Sequence, residues 1–205
     1  MSCSRVLAVA AGLVVLDTSA CGDELPSPHD CSRCHGQSGD PTPPPAVDGT
    51  TSTESIGVGA HQAHVRGSGI ARPVACSECH VVPLVADGIE HPDPLGGPAP
   101  VVFGLVATHD SASPVWDRAT GTCADVFCHG STLRGASTRS APIWTHVDGS
   151  QRTCDSCHGF PPLGNHRQRS DCETCHYQVV SAGGVISNPL LHVNGALEAD
   201  ITVTP

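Results

Sequence analysis

The chain has 205 residues and a formal net charge of −10, from 20 acidic residues set against 10 basic ones, all of them arginine. That balance excludes a basic nucleic-acid footprint. Three Phe, two Trp and one Tyr against 22 Gly and 18 Pro exclude a conventional side-chain core, and taken alone such a composition resembles loop-rich or disordered sequence.

In chain order, residues 1–20 read as a signal peptide. Arg5 precedes an apolar stretch from Val6 to Leu16, and Asp17-Thr18-Ser19-Ala20 ends it before Cys21. The stretch is too short for a membrane span, and cleavage after Ala20 is expected. The small residues ahead of Cys21 resemble a bacterial lipoprotein cleavage site, although Thr18 stands where a leucine-like residue is usual and Asp17 interrupts the apolar run. A lipidated Cys21 would attach the chain to a membrane, whereas an ordinary cut would leave one free thiol in an oxidising compartment. The expected destination is the periplasm or the outer membrane as a lipoprotein, with the cell surface as the outermost option.

Residues 21–40 carry a first pentad, Cys31-Ser-Arg-Cys34-His35, and residues 41–60 read as a Pro/Gly/Ser/Thr-rich linker or loop that opens with Pro41-Thr42-Pro43-Pro44-Pro45. Residues 61–205 form one module with four more such motifs. They are Cys76-Ser-Glu-Cys79-His80, Cys123-Ala-Asp-Val-Phe-Cys128-His129, Cys154-Asp-Ser-Cys157-His158 and Cys172-Glu-Thr-Cys175-His176. Each pentad suits a single helical turn, and Val101 to Val106 is the best strand candidate. Recurring Gly and Pro, with no sustained 3.6-residue apolar period, argue against long helices. The expected fold class is mostly irregular coil with short helices and few short strands, a multihaem cytochrome c architecture organised around covalent haems.

The motif itself supplies that cofactor. In CxxCH the two thiols add to haem vinyl groups as thioethers, and the adjacent imidazole takes the iron's proximal position. Zinc sites and disulfides also use paired cysteines, but structural zinc draws on two separated pairs and does not require histidine directly after the second cysteine. Ten of the 12 cysteines lie in the motifs, leaving only Cys3 and Cys21 in or at the edge of the leader. The sequence therefore predicts five covalent haem c groups. Their attachment residues are Cys31, Cys34, Cys76, Cys79, Cys123, Cys128, Cys154, Cys157, Cys172 and Cys175. Their proximal ligands are His35, His80, His129, His158 and His176. In the third motif the longer spacer must bulge to bring both sulfurs to one ring; a Cys123–Cys128 disulfide is the alternative there. Five large apolar rings supply the buried surface that the side chains lack, so the chain is expected not to fold without them.

Eight histidines remain for the sixth position. The single methionine is Met1, which leaves with the leader, and lysine is absent, so His/Met and amine ligation are excluded by composition. Bis-histidine coordination with low reduction potentials follows for most or all sites. His61 and His64 are the first choices, each able to serve a different haem. His91, His166 and His192 come next, each in a Gly/Pro/Asn-containing loop, while His29, His109 and His146 are reserves.

The chain resembles the extracytoplasmic multihaem c-type cytochromes that mix CxxxxCH and CxxCH motifs. The likeness rests on Gly59-Ala60-His61-Gln62-Ala63-His64, Cys76 to Pro83, Val126-Phe127-Cys128-His129-Gly130, Cys154 to Pro162 and Leu191-His192-Val193-Asn194-Gly195. It implies electron transfer rather than a defined small-molecule reaction, and it supports His61, His64, His91, His166 and His192 as distal ligands by position. The expected function is electron carriage between a redox-protein donor and acceptor, without catalysis and without nucleic acid. The alternatives are a multihaem reductase of a small oxyanion, which needs one iron with an open position, or a haem-wire subunit of a larger extracellular electron-transfer assembly.

Overall fold

The computed structural model describes residues 30–86, 91, 97–133 and 141–200. The signal peptide, Cys21 and His29 lie outside the described residues. What is described is mostly coil, with three short helices and two antiparallel two-stranded sheets. The helices are α1 (His61–Val65), α2 (Cys154–Cys157) and α3 (Glu173–His176). One sheet pairs β1 (Val115–Asp117) with β2 (Thr122–Ala124), Trp116 lying opposite Cys123, and the other pairs β3 (Val180–Ser181) with β4 (Val185–Ile186).

Each CxxCH motif sits on one helical turn, and the third motif ends on one. Cys31–Arg33, Cys76–Glu78 and Phe127–His129 are 3-10 turns, and the last two motifs fall on α2 and α3. A single turn suffices because it brings residues three apart to one side, which is the spacing of the two cysteines in CxxCH. The third motif solves its longer spacing differently. Cys123 belongs to β2, Asp125 turns through the left-handed region at φ 53, and Cys128 then enters the 3-10 turn. The bulge required by the spacer is thus a strand-to-turn junction, with Val126 buried inside it.

Val101 to Val106 is not a strand. Its β-branched residues have no partner strand, and its backbone is taken by the second motif instead. The Val102 amide donates to the Cys79 carbonyl at 2.9 Å and that of Gly104 to the Glu78 carbonyl at 3.0 Å. The Val106 and Ala107 amides both donate to the Glu78 carboxylate, at 2.9 and 3.2 Å. Hydrogen-bond accounting, which buried backbone must satisfy, outweighs local propensity here.

The Pro-rich segment after the first motif folds onto α1. Gln62 donates to the Thr42 and Pro43 carbonyls at 3.2 and 3.0 Å, and Arg66 pairs with Asp40 at 2.8 Å. The side-chain core is very small. Among the described residues the buried apolar side chains are Ala46, Val58, Ala107, Val126 and Val179. No helix among them is long and apolar enough to cross a membrane.

Candidate functional site

The five motif histidines each face one other imidazole. Ring centroids lie 5.9 Å apart for His35 and His91, 6.3 Å for His80 and His61, and 6.2 Å for His129 and His64. They lie 6.4 Å apart for His158 and His192 and 6.2 Å for His176 and His166. The partners are the five histidines favoured from the sequence. Of the reserves, His109 packs against Phe127 at 4.7 Å and His146 is an exposed residue near Asp148, neither facing a motif histidine.

This spacing suits a shared metal rather than ring stacking. Two imidazoles bound through nitrogen at about 2 Å on opposite sides of one iron have centroids roughly 6.3 Å apart. Interplanar angles run from 9° for His166–His176 to 85° for His158–His192, and both extremes fit, since each ring can rotate about a common axis through the metal. A bare metal ion fits poorly, because no three His, Cys, Asp or Glu side chains converge among the described residues.

Backbone carbonyls orient most of these rings. Nδ1 of His61 donates to the Val58 carbonyl at 2.8 Å, that of His64 to Ala60 at 2.9 Å, and that of His80 to Pro100 at 3.0 Å. The same bond runs from His158 to Gly159 at 2.8 Å, from His166 to Arg167 at 2.7 Å, from His176 to Glu198 at 2.8 Å and from His192 to Ile70 at 2.5 Å. A carbonyl can only accept, so each of these rings carries a proton on Nδ1, which leaves Nε2 as the nitrogen that can bind a metal. That is the tautomer a metal ligand needs, held by an outer hydrogen bond. His129 differs, since its Nδ1 is buried without a well-formed bond of this kind, the Cys123 backbone being its nearby acceptor.

Burial reinforces the neutral form. It lowers the pKa of His61 and His192 against the opposing pull of their carbonyl partners, and lowers that of His35 with help from His91 and His80. His129 falls to about 4, again mainly through burial. Burial pushes the Cys123 and Cys128 thiols up to about 11 and raises those of Cys79 and Cys157 as well. None of the ten motif cysteines is in a disulfide, Cys123 and Cys128 included.

Successive motifs are neighbours in space. His35 lies within electrostatic reach of both His80 and His61. Cys79 lies near Cys123 and Cys128, and His61 and His64 stand on α1. Gly130, directly after the third motif, packs against the fourth so tightly that a Cβ there would fall 1.8 Å from the Cys157 carbonyl oxygen. Cys154 and Cys172 link the last two motifs electrostatically.

A largely apolar cavity of about 1120 Å³ runs through this arrangement, with Cys79, Cys123, Cys128, Cys154, Cys157 and Cys172 on its wall. Its apolar lining suits flat apolar rings, with thiols on the wall and the imidazoles of His64, His129, His158, His166, His176 and His192 beside them. The residues fit haem c, which when bound supplies one-electron iron chemistry; the protein holds, orients and insulates it.

Thiols, facing imidazoles and cavity together define a multihaem c-type cytochrome, an electron-transfer protein with covalently bound haem c. Residues 122–158 match the family described as the Geobacter CxxxxCH...CXXCH motif, a match that supports the group of multihaem cytochromes that mix these two motifs. No curated protein and no solved structure matches it.

Two residues at the site escape motif reading. Glu78, a spacer residue of the second motif, holds the Val106 and Ala107 amides through its carboxylate. Trp144 touches His61 and His64 together, at 4.8 and 5.5 Å between ring centroids. The only sequence signal for the latter is a lone indole between motifs in a chain with two tryptophans.

Proposed function

We propose that the protein is a pentahaem electron carrier in which each haem is bis-histidine ligated, the pairs being His35/His91, His80/His61, His129/His64, His158/His192 and His176/His166. The observation that carries this reading is the set of five facing imidazole pairs, all separated by 5.9 to 6.4 Å. Contacts between successive motifs support a single file of haems in chain order, with the first and fifth as its ends. Two strong nitrogen ligands in both oxidation states keep reorganisation small, and thioether tethers fix the rings against loss. The electrons pass to and from other redox proteins, and an acidic surface favours basic partners by electrostatic steering. Export with a lipid anchor at Cys21 would place the file in the periplasm or at the outer membrane.

Carbon monoxide tests the closed-site reading, because it binds ferrous haem only where an axial position is open. The reduced holoprotein should show no carbonyl spectrum. Stoichiometric binding at one haem would turn the assignment toward the oxyanion reductase.

A further inference from the structure

We infer that Trp144 is a positioning residue shared by two haems, a brace that holds the distal imidazoles His61 and His64 at once. The inference rests on the bis-histidine reading of the second and third motifs. The two histidines are three residues apart on α1, a helix of only five residues whose N-cap makes no side-chain hydrogen bond. So short a helix has little stability of its own, and the direction of its side chains depends on what it packs against.

The indole supplies that packing. It meets the His61 ring edge-on at 89° and lies at 30° to the His64 ring. Its seat is fixed on three sides. The Trp144 amide donates to the Gly121 carbonyl at 2.7 Å, which ties it to the hairpin that carries Cys123. Nε1 donates to the Ile56 carbonyl at 2.9 Å, ahead of α1. Trp116 of β1 packs against the ring at 6.4 Å. Gly59 makes the approach possible, because a Cβ there would lie 2.0 Å from Nε1. The ring thus connects the third motif's attachment hairpin to the distal ligands of both the second and third motifs. Displacing it frees both imidazoles together while leaving the other three pairs untouched.

The test is carbon monoxide binding to reduced holoprotein, native and variant, with His61→Ala and His64→Ala as references that each open one haem. Trp144→Ala should bind carbon monoxide at two haems per chain with a matching rise in ferric high-spin signal. Trp144→Phe, which keeps an aromatic face, should restore the closed state. Trp144→Leu, which keeps apolar bulk without that face, should open the same two haems partially and serves where the alanine variant does not accumulate. Five low-spin haems in Trp144→Ala or Trp144→Leu would overturn the brace, as would opening spread over all five. Carbon monoxide binding by the native protein would instead overturn the bis-histidine reading.

Discussion

Gly130 shows how much one residue carries where two attachment motifs meet. Its φ of 84° is left-handed, and the position of its absent Cβ is occupied by the Cys157 carbonyl, so an added methyl meets backbone that cannot swing away. Gly130→Ala should lower stability by at least about 1 kcal/mol, read as a fall in the thermal midpoint of the holoprotein. Glu78 carries a different load. Its carboxylate accepts two amides that have no alternative strand to pair with. Glu78→Ala strands both and should destabilise by about 1–3 kcal/mol, with Glu78→Gln retaining part of that through its remaining oxygen; chemical denaturation of the holoprotein separates the two. Among the histidines, His192→Ala should convert one low-spin haem to high spin, visible by electron paramagnetic resonance. At this scale the sequence was informative about chemistry. Adjacency of Cys and His singled out five histidines as candidate proximal ligands, and the absence of lysine and of any methionine but Met1 pointed to histidine as their candidate partners. Trp144 and Glu78 were not legible, because neither role follows from residue type; each depends on which neighbours the fold brings within reach.

At the level of elements, the motif turns are local objects and could be read locally. A helical turn is a local way to bring cysteines three apart to one side. Val101 to Val106 could not be read that way, since a run of β-branched residues becomes a strand only when another strand offers its edge. Here the neighbouring carbonyls of Glu78 and Cys79 satisfy the amides first. The spacing of His61 and His64 on α1 yields a sharper test. One alanine inserted between them rotates the second histidine by about 100° around the helix axis. The insertion should cost one or both distal ligands without affecting the three motif pairs elsewhere, and the number of high-spin haems measures the loss.

Across the whole molecule, the Gly/Pro-rich composition and the architecture have one cause. A chain with five buried apolar side chains among its described residues cannot offset the conformational entropy lost on folding. The largely apolar cavity walled by six of the motif cysteines is where that missing apolar surface belongs. Protein made without haem attachment should therefore show no cooperative thermal transition by circular dichroism, whereas the holoprotein should unfold in one. The coil-rich class was legible from composition because short helices and two small hairpins are all that frequent Gly and Pro permit. The pairing of distant histidines was less so: His192 reaches the Ile70 carbonyl across 122 residues of chain, and no local pattern encodes that closure. Iron quantification combined with near-infrared magnetic circular dichroism of the oxidised holoprotein probes all five pairs at once. Five irons per chain, every one low-spin with a bis-imidazole signature, is the expected result; fewer than five irons, or a high-spin fraction in the native protein, would contradict it.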